Sequence, residues 1–552
     1  MHRGIREAVS ASIVILLVLA LGAAGCSSEK QTPTPPAAAG PQVGGTLCLA
    51  LPAEPRVLDP AKASAAVDST VLTYLGAGLL DLNPSGEVVG WLAKDYSVSP
   101  DGLTVTFHLK DGVTFSNGEP LTAEDFKWTF ERILDPATAS PVAASLLAGV
   151  KSIEAPDKST LILRLKSPTY ALLTNLCIPG YLQPLNKKAV EAAGSQYVSK
   201  PVGVGPYTLK ETKSGEYVLL ERNPKYTWGP AHFHAGPWYI KEIKFSVIPD
   251  QASQIAALES GQISALYPIP TQQWDKYSAD TRFQFFEGLA GGFVYVTLNT
   301  ENPIFADPAV RKALNYAVDR AAVVKSVFQG HALPAYGAYH PALPGYLNEL
   351  DKTPLYPFNL AKAKQTLEDA GWKDANGDGV REKDGKALQF DLLAINAGTF
   401  PLVAELVQAQ LKEVGADAKL TTMEQGVAIQ NMVGGKYQAA IMQWGWQNDA
   451  GDIMYTTLHS SQAGAGLNLA RYKNADLDSL IVNARFGMDS KAHLDLLTRI
   501  QKHVVENAIQ IPLVYTISGY VFAKNMKGIK PAATGIGYTF TDAYFENAGT
   551  SK

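Results

Sequence analysis

Three short runs carry side chains able to do chemistry. Residues 443–452 read QWGWQNDAGD, so Trp444, Trp446 and Asn448 lead into the carboxylates Asp449 and Asp452, with Tyr455 just beyond. A ligand cation taken out of water must meet an opposite charge, and a carboxylate between aromatic side chains can supply one. Residues 374–379 read DANGDG and place side-chain oxygens at Asp374, Asn376 and Asp378 with Gly379 at the turn, the first half of a calcium loop. The twelfth position is Gly385 rather than a bidentate Glu, so these three are only weak metal candidates and the reading is an Asx-rich turn without metal. His232 and His234 could share one strand face, yet two imidazoles fall short of a zinc set, and Gly229-Pro230 and Gly236-Pro237 bracket them as a surface loop. Gly203 and Gly205 lack the third glycine of a nucleotide fingerprint, and Pro206 makes them a turn. There is no Gly-x-Ser-x-Gly elbow, Walker loop or His-Glu-x-x-His helix. These absences leave nothing to support catalysis, and no catalytic residue, no cofactor and no enzymatic activity are expected.

The elements that would position these runs alternate between strand and helix. Val105, Phe107 and Leu109 alternate with Thr104, Thr106 and His108, predicting a strand that ends at Asp111-Gly112. Thr122 and Asp125 form a capping box for a helix that puts Phe126, Phe130, Ile133 and Leu134 on one face. Residues 207–209 and 217–219 flank Gly215 as a hairpin. Asp307-Pro308 opens a helix with Val310, Leu314 and Val318 inward and Gly330 beyond its end. Residues 359–370, closed by Gly371, and 401–413, closed by Gly415, are further helices, and 418–422 is a strand. This is a mixed α/β pattern.

At 552 residues the chain exceeds what one hydrophobic core supports, so several domains are expected. Hydrophobic residues make up 46% and charged residues 18%, which excludes disorder as the main state. The net charge of −4 excludes nucleic acid as a partner. At the N-terminus, Arg3 and Arg6 precede an apolar stretch over 8–21 and the small residues 22–25, which lead to Cys26. That order is a signal peptide too short to span a membrane comfortably. Its end resembles the lipobox of bacterial lipoproteins, although Ala23 stands where leucine is usual. The resemblance implies a signal peptide at 1–25, lipidation at Cys26, and a Pro/Ala-rich tether over 26–42. Cys48 and Cys177, the two remaining cysteines, are too few for a disulfide framework or a thiolate metal cluster.

Motifs strung along residues 43–530 resemble the peptide-binding family of ABC-importer receptors, solute-binding protein family 5. They include WLAKD at 91–95, SPDGL at 99–103, GVTFSNG at 112–118, PLTAED at 120–125, PVGVGPY at 201–207, FADPAVRKALNYAVDR at 305–320 and QAQLKEVG at 408–415. The resemblance implies a two-lobed periplasmic-binding-protein fold of type II, with three subdomains and a hinge between lobes. Residues 43–85, 203–297 and 515–552 would form the lobe I core, 86–202 its inserted subdomain, and 298–514 lobe II. It also implies capture of a peptide or related small solute by a monomer, held by its lipid at the outer face of the cytoplasmic membrane, and delivery to an ABC permease and its ATPase. Asp449 matches the family carboxylate that binds the peptide ammonium group, with Trp444, Trp446, Asn448 and Tyr455 beside it. Residues 396–400 (NAGTF) lack the Arg by which dipeptide binders of the family hold the ligand carboxylate, so an oligopeptide is expected over a strict dipeptide. The family's nickel-chelate, haem, glutathione and oligosaccharide binders, or a signalling lipoprotein with the same cleft, are the alternatives.

Overall fold

A computed structural model describes residues 40–343, 345–445, 449–464, 466–532 and 537–546. Its backbone is an 11-stranded mixed sheet. From one edge the strands run Asp417–Met423, Gln389–Ile395, Ala439–Trp444, Phe283–Leu298, Gln510–Ala523, Ala265–Ile269, Gly44–Leu51, Ile240–Val247, Tyr217–Arg222 and Tyr207–Lys213, with Ala332–Pro334 also paired to Gln510–Ala523. Phe283–Leu298 and Gln510–Ala523 are the longest strands, at 16 and 14 residues, and pair antiparallel from Phe283↔Ala523 to Thr297↔Gln510. Their register shifts between Leu289 and Phe293, where Gly291 takes a positive φ of 79°. At the neighbouring Gly292 a Cβ would lie 2.4 Å from Thr516 Oγ1 and 2.8 Å from Gln443 Nε2, so a larger residue there would have to displace these side chains.

Two large apolar cores flank this crossing. One joins residues between Leu47 and Phe245 to Tyr520, Phe522, Phe540 and Phe545; the other draws on residues between Val294 and Val514. A separate antiparallel sheet, in the order Ala93–Val98, Thr104–Leu109, Thr160–Leu165 and Val150–Glu154, belongs to the first core. Its strand Thr104–Leu109 buries Val105, Phe107 and Leu109, the alternation expected of it. The helix Ala123–Leu134 starts at the Thr122–Asp125 capping box and buries Phe126, Phe130 and Ile133. The hairpin at Gly215 and the helices Leu360–Asp369 and Phe400–Lys412 also form where expected.

One predicted helix divides. Pro308–Ala317 ends before Val318, and Asp319 caps a second helix, Arg320–Val327, by accepting from the Ala322 N–H. The apolar period through Val310, Leu314 and Val318 hid this break. Arg320 explains it, because its buried guanidinium donates to the carbonyls of Ala335, Pro512 and Asn315. Continuing the first helix would carry it away from those acceptors and leave a buried charge unsatisfied. Among the described residues no helix is long and apolar enough to cross a membrane.

Candidate functional site

Asp449 lies between the strand Ala439–Trp444 and the helix Ala450–Leu458, of which it is the N-cap. Its Oδ1 accepts from the Asp452 N–H at 2.8 Å, one of the donors a helix start leaves open. The residue is only 4% exposed. Its Oδ2 lies 3.4 Å from His493 Nε2. His493 Nδ1 donates to the Ala484 carbonyl at 2.8 Å, so Nε2 attracts the carboxylate only when it too carries a proton. The Tyr170 ring stacks on this imidazole, with centroids 3.9 Å apart.

The second carboxylate of the run has its own cation. Arg485 Nε donates to Asp452 Oδ1 at 2.7 Å, and the guanidinium lies over the Tyr455 ring at 3.9 Å. Burial pushes the Asp452 carboxyl above its usual range, the Asp449 charge adds to the effect, and Arg485 opposes it. Tyr455 is thereby placed beside the Arg485–Asp452 pair. Trp446 and Asn448 lie outside the described residues, as does Cys26. Sequence reasoning missed His493, Tyr170 and Arg485, which come from distant segments without any local signature.

Beneath the helix Ala450–Leu458 is a narrow cavity of about 20 Å³, lined by Trp444, Tyr295, Tyr339, His340 and Met454 among others. Two ring nitrogens on its wall, Trp444 Nε1 and His340 Nε2, are buried and make no hydrogen bond. His340 Nδ1 accepts from the Ala342 N–H, and burial pushes the imidazole down to about 4. The Thr516 backbone carbonyl opposes that shift but does not reach hydrogen-bond geometry with Nε2. The ring is thus neutral at pH 7 with its proton on Nε2, and the cavity presents two N–H donors to one oxygen-bearing group or a single water.

At the Asx-rich loop, Asp374 accepts from the Gly377 and Gly379 N–H groups, Asn376 from Asp378 N–H, and Asp378 from Val380 N–H. Glu382, which the sequence reading passed over, brings a third carboxylate, and the oxygens of Asp374, Asp378 and Glu382 lie within 4.8 Å of one another. Each of these carboxylates already accepts a backbone N–H. His232 and His234 do not act as a pair: His232 lies beside Asp81 and His234 beside Asp542.

Residues 87–465 match the sequence model of the bacterial extracellular solute-binding proteins, family 5 Middle. The oligopeptide-binding protein AppA of Bacillus subtilis (strain 168) is 29% identical over 535 residues, covering 95% of this chain and 96% of its own. Its structure with a nonapeptide covers 92% of this chain and 99% of that one, with a TM-score of 0.60 and 27% identity. The nickel-binding periplasmic protein of Escherichia coli (strain K12) is 30% identical over 470 residues, 82% of this chain and 86% of that one. The periplasmic murein tripeptide-binding protein MppA in its unliganded open form gives a TM-score of 0.80 at 25% identity, covering 92% and 99%. With a family model spanning most of its length and relatives matched along nearly all of theirs, this chain belongs to the bacterial extracellular solute-binding proteins of family 5, and its fold is the type II periplasmic-binding-protein fold.

Proposed function

We propose that the chain is the extracytoplasmic receptor of an ABC importer, which captures peptides between two lobes and hands them to a membrane permease. The observation that carries this reading is the near end-to-end likeness to an oligopeptide-binding protein. Members of this family are transport receptors, so the function is capture and release rather than catalysis.

The two apolar cores support a division into a lobe of residues 43–85, 203–297 and 515–552 with the insert 86–202, and a lobe of residues 298–514, except at the boundary, where Val294 and Val296 pack into the second core. The paired strands Phe283–Leu298 and Gln510–Ala523 cross between them, and the irregularity at Gly291 and Gly292 is the natural place for a hinge. In the second lobe, Asp449 is the counter-ion for a peptide ammonium group, with Trp444, Trp446, Asn448 and Tyr455 as further ligand-binding residues. Trp444 and His340 offer their free N–H groups to a ligand oxygen, a task that residues 396–400 cannot perform through a cation. Cys26 carries the lipid anchor, residues 27–42 tether the folded part to the outer face of the cytoplasmic membrane, and the partners are a permease and its ATPase engaged by a monomer.

Isothermal titration with peptides from dipeptide to nonapeptide tests the reading, and affinity should rise with length beyond the dipeptide. The nickel-binding relative supplies the competing reading. A protein that binds a nickel chelate and no peptide of any length overturns the peptide assignment.

A further inference from the structure

A second and larger cavity, of about 380 Å³, is lined among the described residues by the N-terminal core and the C-terminal segment. Thr73 and Tyr74 of the helix Ala66–Leu75 form one wall, and Asp81 of the strand Leu80–Leu82 another. The rings of Trp91, Tyr226, Phe233, Trp238 and Tyr538 also line it. The size suits a small organic molecule.

A carboxyl, Asp81, and an imidazole, His232, break this aromatic lining. Asp81 Oδ2 and His232 Nε2 lie 3.4 Å apart, with 21% and 15% of their side chains exposed. The separation is within ion-pair range, yet His232 Nε2 is buried and makes no hydrogen bond. Burial pushes the Asp81 carboxyl up to about 7, with the Leu82 backbone opposing. Burial also pushes the His232 imidazole down; Asp542 opposes this and Lys530 adds to it. The other titratable groups facing Asp81 are Cys177 and Tyr226, each raised first by burial and then by the Asp81 charge, so neither supplies a positive charge. Among the described residues no Lys or Arg pairs with Asp81.

We propose that this cavity binds a substituted ammonium ion, with the aromatic rings facing its alkyl groups and Asp81 as its counter-ion. Ring faces attract a desolvated cation, and the attraction grows where water is excluded. A bare metal ion would find too few oxygens here, and a neutral apolar guest would leave the carboxylate without a partner. The cation can arrive as a free quaternary ammonium compound or as the side chain of a lysine in a peptide. The site shares no residue with the helix capped by Asp449, so the inference stands independently of the peptide reading. Because the guest's charge meets the ionised carboxylate, affinity rises as pH climbs through about 7 and then levels off.

The test is titration of the full chain with choline and with its neutral isostere 3,3-dimethyl-1-butanol, at about pH 6 and about pH 8. Choline should bind roughly tenfold or more tightly than the isostere at the higher pH, with a smaller preference at the lower. Asp81→Asn should abolish the preference, and Asp449→Asn should leave it intact. Peptides differing only by Lys against norleucine form the second arm: an Asp81-dependent preference confined to them assigns the cation to a peptide side chain. Equal binding of choline and its isostere together with no preference for Lys overturns the proposal. So does a preference that survives Asp81→Asn in a variant whose melting curve shows it folded.

Discussion

Replacing Asp449 by Asn removes a charge while keeping a helix cap. Asn caps as well as Asp, so the bond from the Asp452 N–H survives and the fold should hold. At the 3.4 Å that separates Asp449 from His493, a pair of unit charges is worth about 5 kcal/mol at an effective dielectric of about 20, before desolvation. A ligand ammonium at hydrogen-bond distance gains a similar amount, and removing its partner from a closed cleft costs roughly 2–5 kcal/mol of binding. Where its Nε2 carries a proton, His493 competes with the ammonium for this carboxylate, which places the loss toward the lower end. N-acetylated peptides carry no ammonium, so acetylation should weaken binding to the wild type and matter much less in the variant. Isothermal titration of both proteins with both peptide forms completes the cycle. Asp449→Ala adds a stability readout, because losing the cap should cost about 1 kcal/mol that Asp449→Asn does not. Equal acetylation penalties in wild type and Asp449→Asn would refute the contact and leave Asp449 as a cap paired with His493.

The other predictions address other parts of the chain. Calcium should leave the melting temperature unchanged, because the Asp374–Glu382 oxygens already serve backbone donors; a native site at ~100 times its dissociation constant would add about 2.7 kcal/mol and a clear upward shift. Cys26→Ser should abolish metabolic fatty-acid labelling and release the protein from membranes, since the acyl chain attaches through sulfur; unchanged labelling ends the lipoprotein reading. Asp81 has a folded-state pKa raised to about 7, so from about pH 4 upward the unfolded chain gives up a proton that the folded one keeps, and stability falls until about pH 7. Asp81→Asn removes that slope, and its stability should gain on the wild type by up to about 4 kcal/mol across this window. Parallel stability curves for the two proteins would show that Asp81 ionises freely in the folded state.

Local rules carried the secondary structure and stopped where a distant group decided the outcome. The Thr122–Asp125 box, the hairpin at Gly215 and the positive-φ stops at Gly371 and Gly415 are contained within a few residues, and all were legible. The break at Val318–Asp319 was not, since the apolar spacing argues for continuity and the buried acceptors of Arg320 lie on other elements. The same limit applied to the site. Asp449 could be singled out from its own run, whereas tertiary folding alone brings His493 to Asp449, Tyr170 to His493 and Arg485 to Asp452. His232 and His234 were noticed for their spacing, yet each turned to a separate acid.

The interior acids show which of these pairings build the fold and which leave something to bind. Asp59 receives two bonds from Arg132, at 3.1 and 2.7 Å, and a buried guanidinium–carboxylate fork of this kind is complete in itself. Asp68 accepts the Arg56 and Val57 N–H groups, and Asp449 a helix N-terminus. In each case the burial of a carboxylate is offset by donors within the chain. Asp81 departs from that pattern. It has the Leu82 backbone and a neutral imidazole outside hydrogen-bond geometry, and burial therefore holds its proton on at pH values where an ordinary carboxyl is ionised. A fold needing only stability would gain by replacing such a group with an apolar one, because an unpaired acid destabilises the folded state above its unfolded pKa. Its position on the wall of a ring-lined cavity gives that cost a use: the free energy forgone in the empty protein is returned when a cation enters.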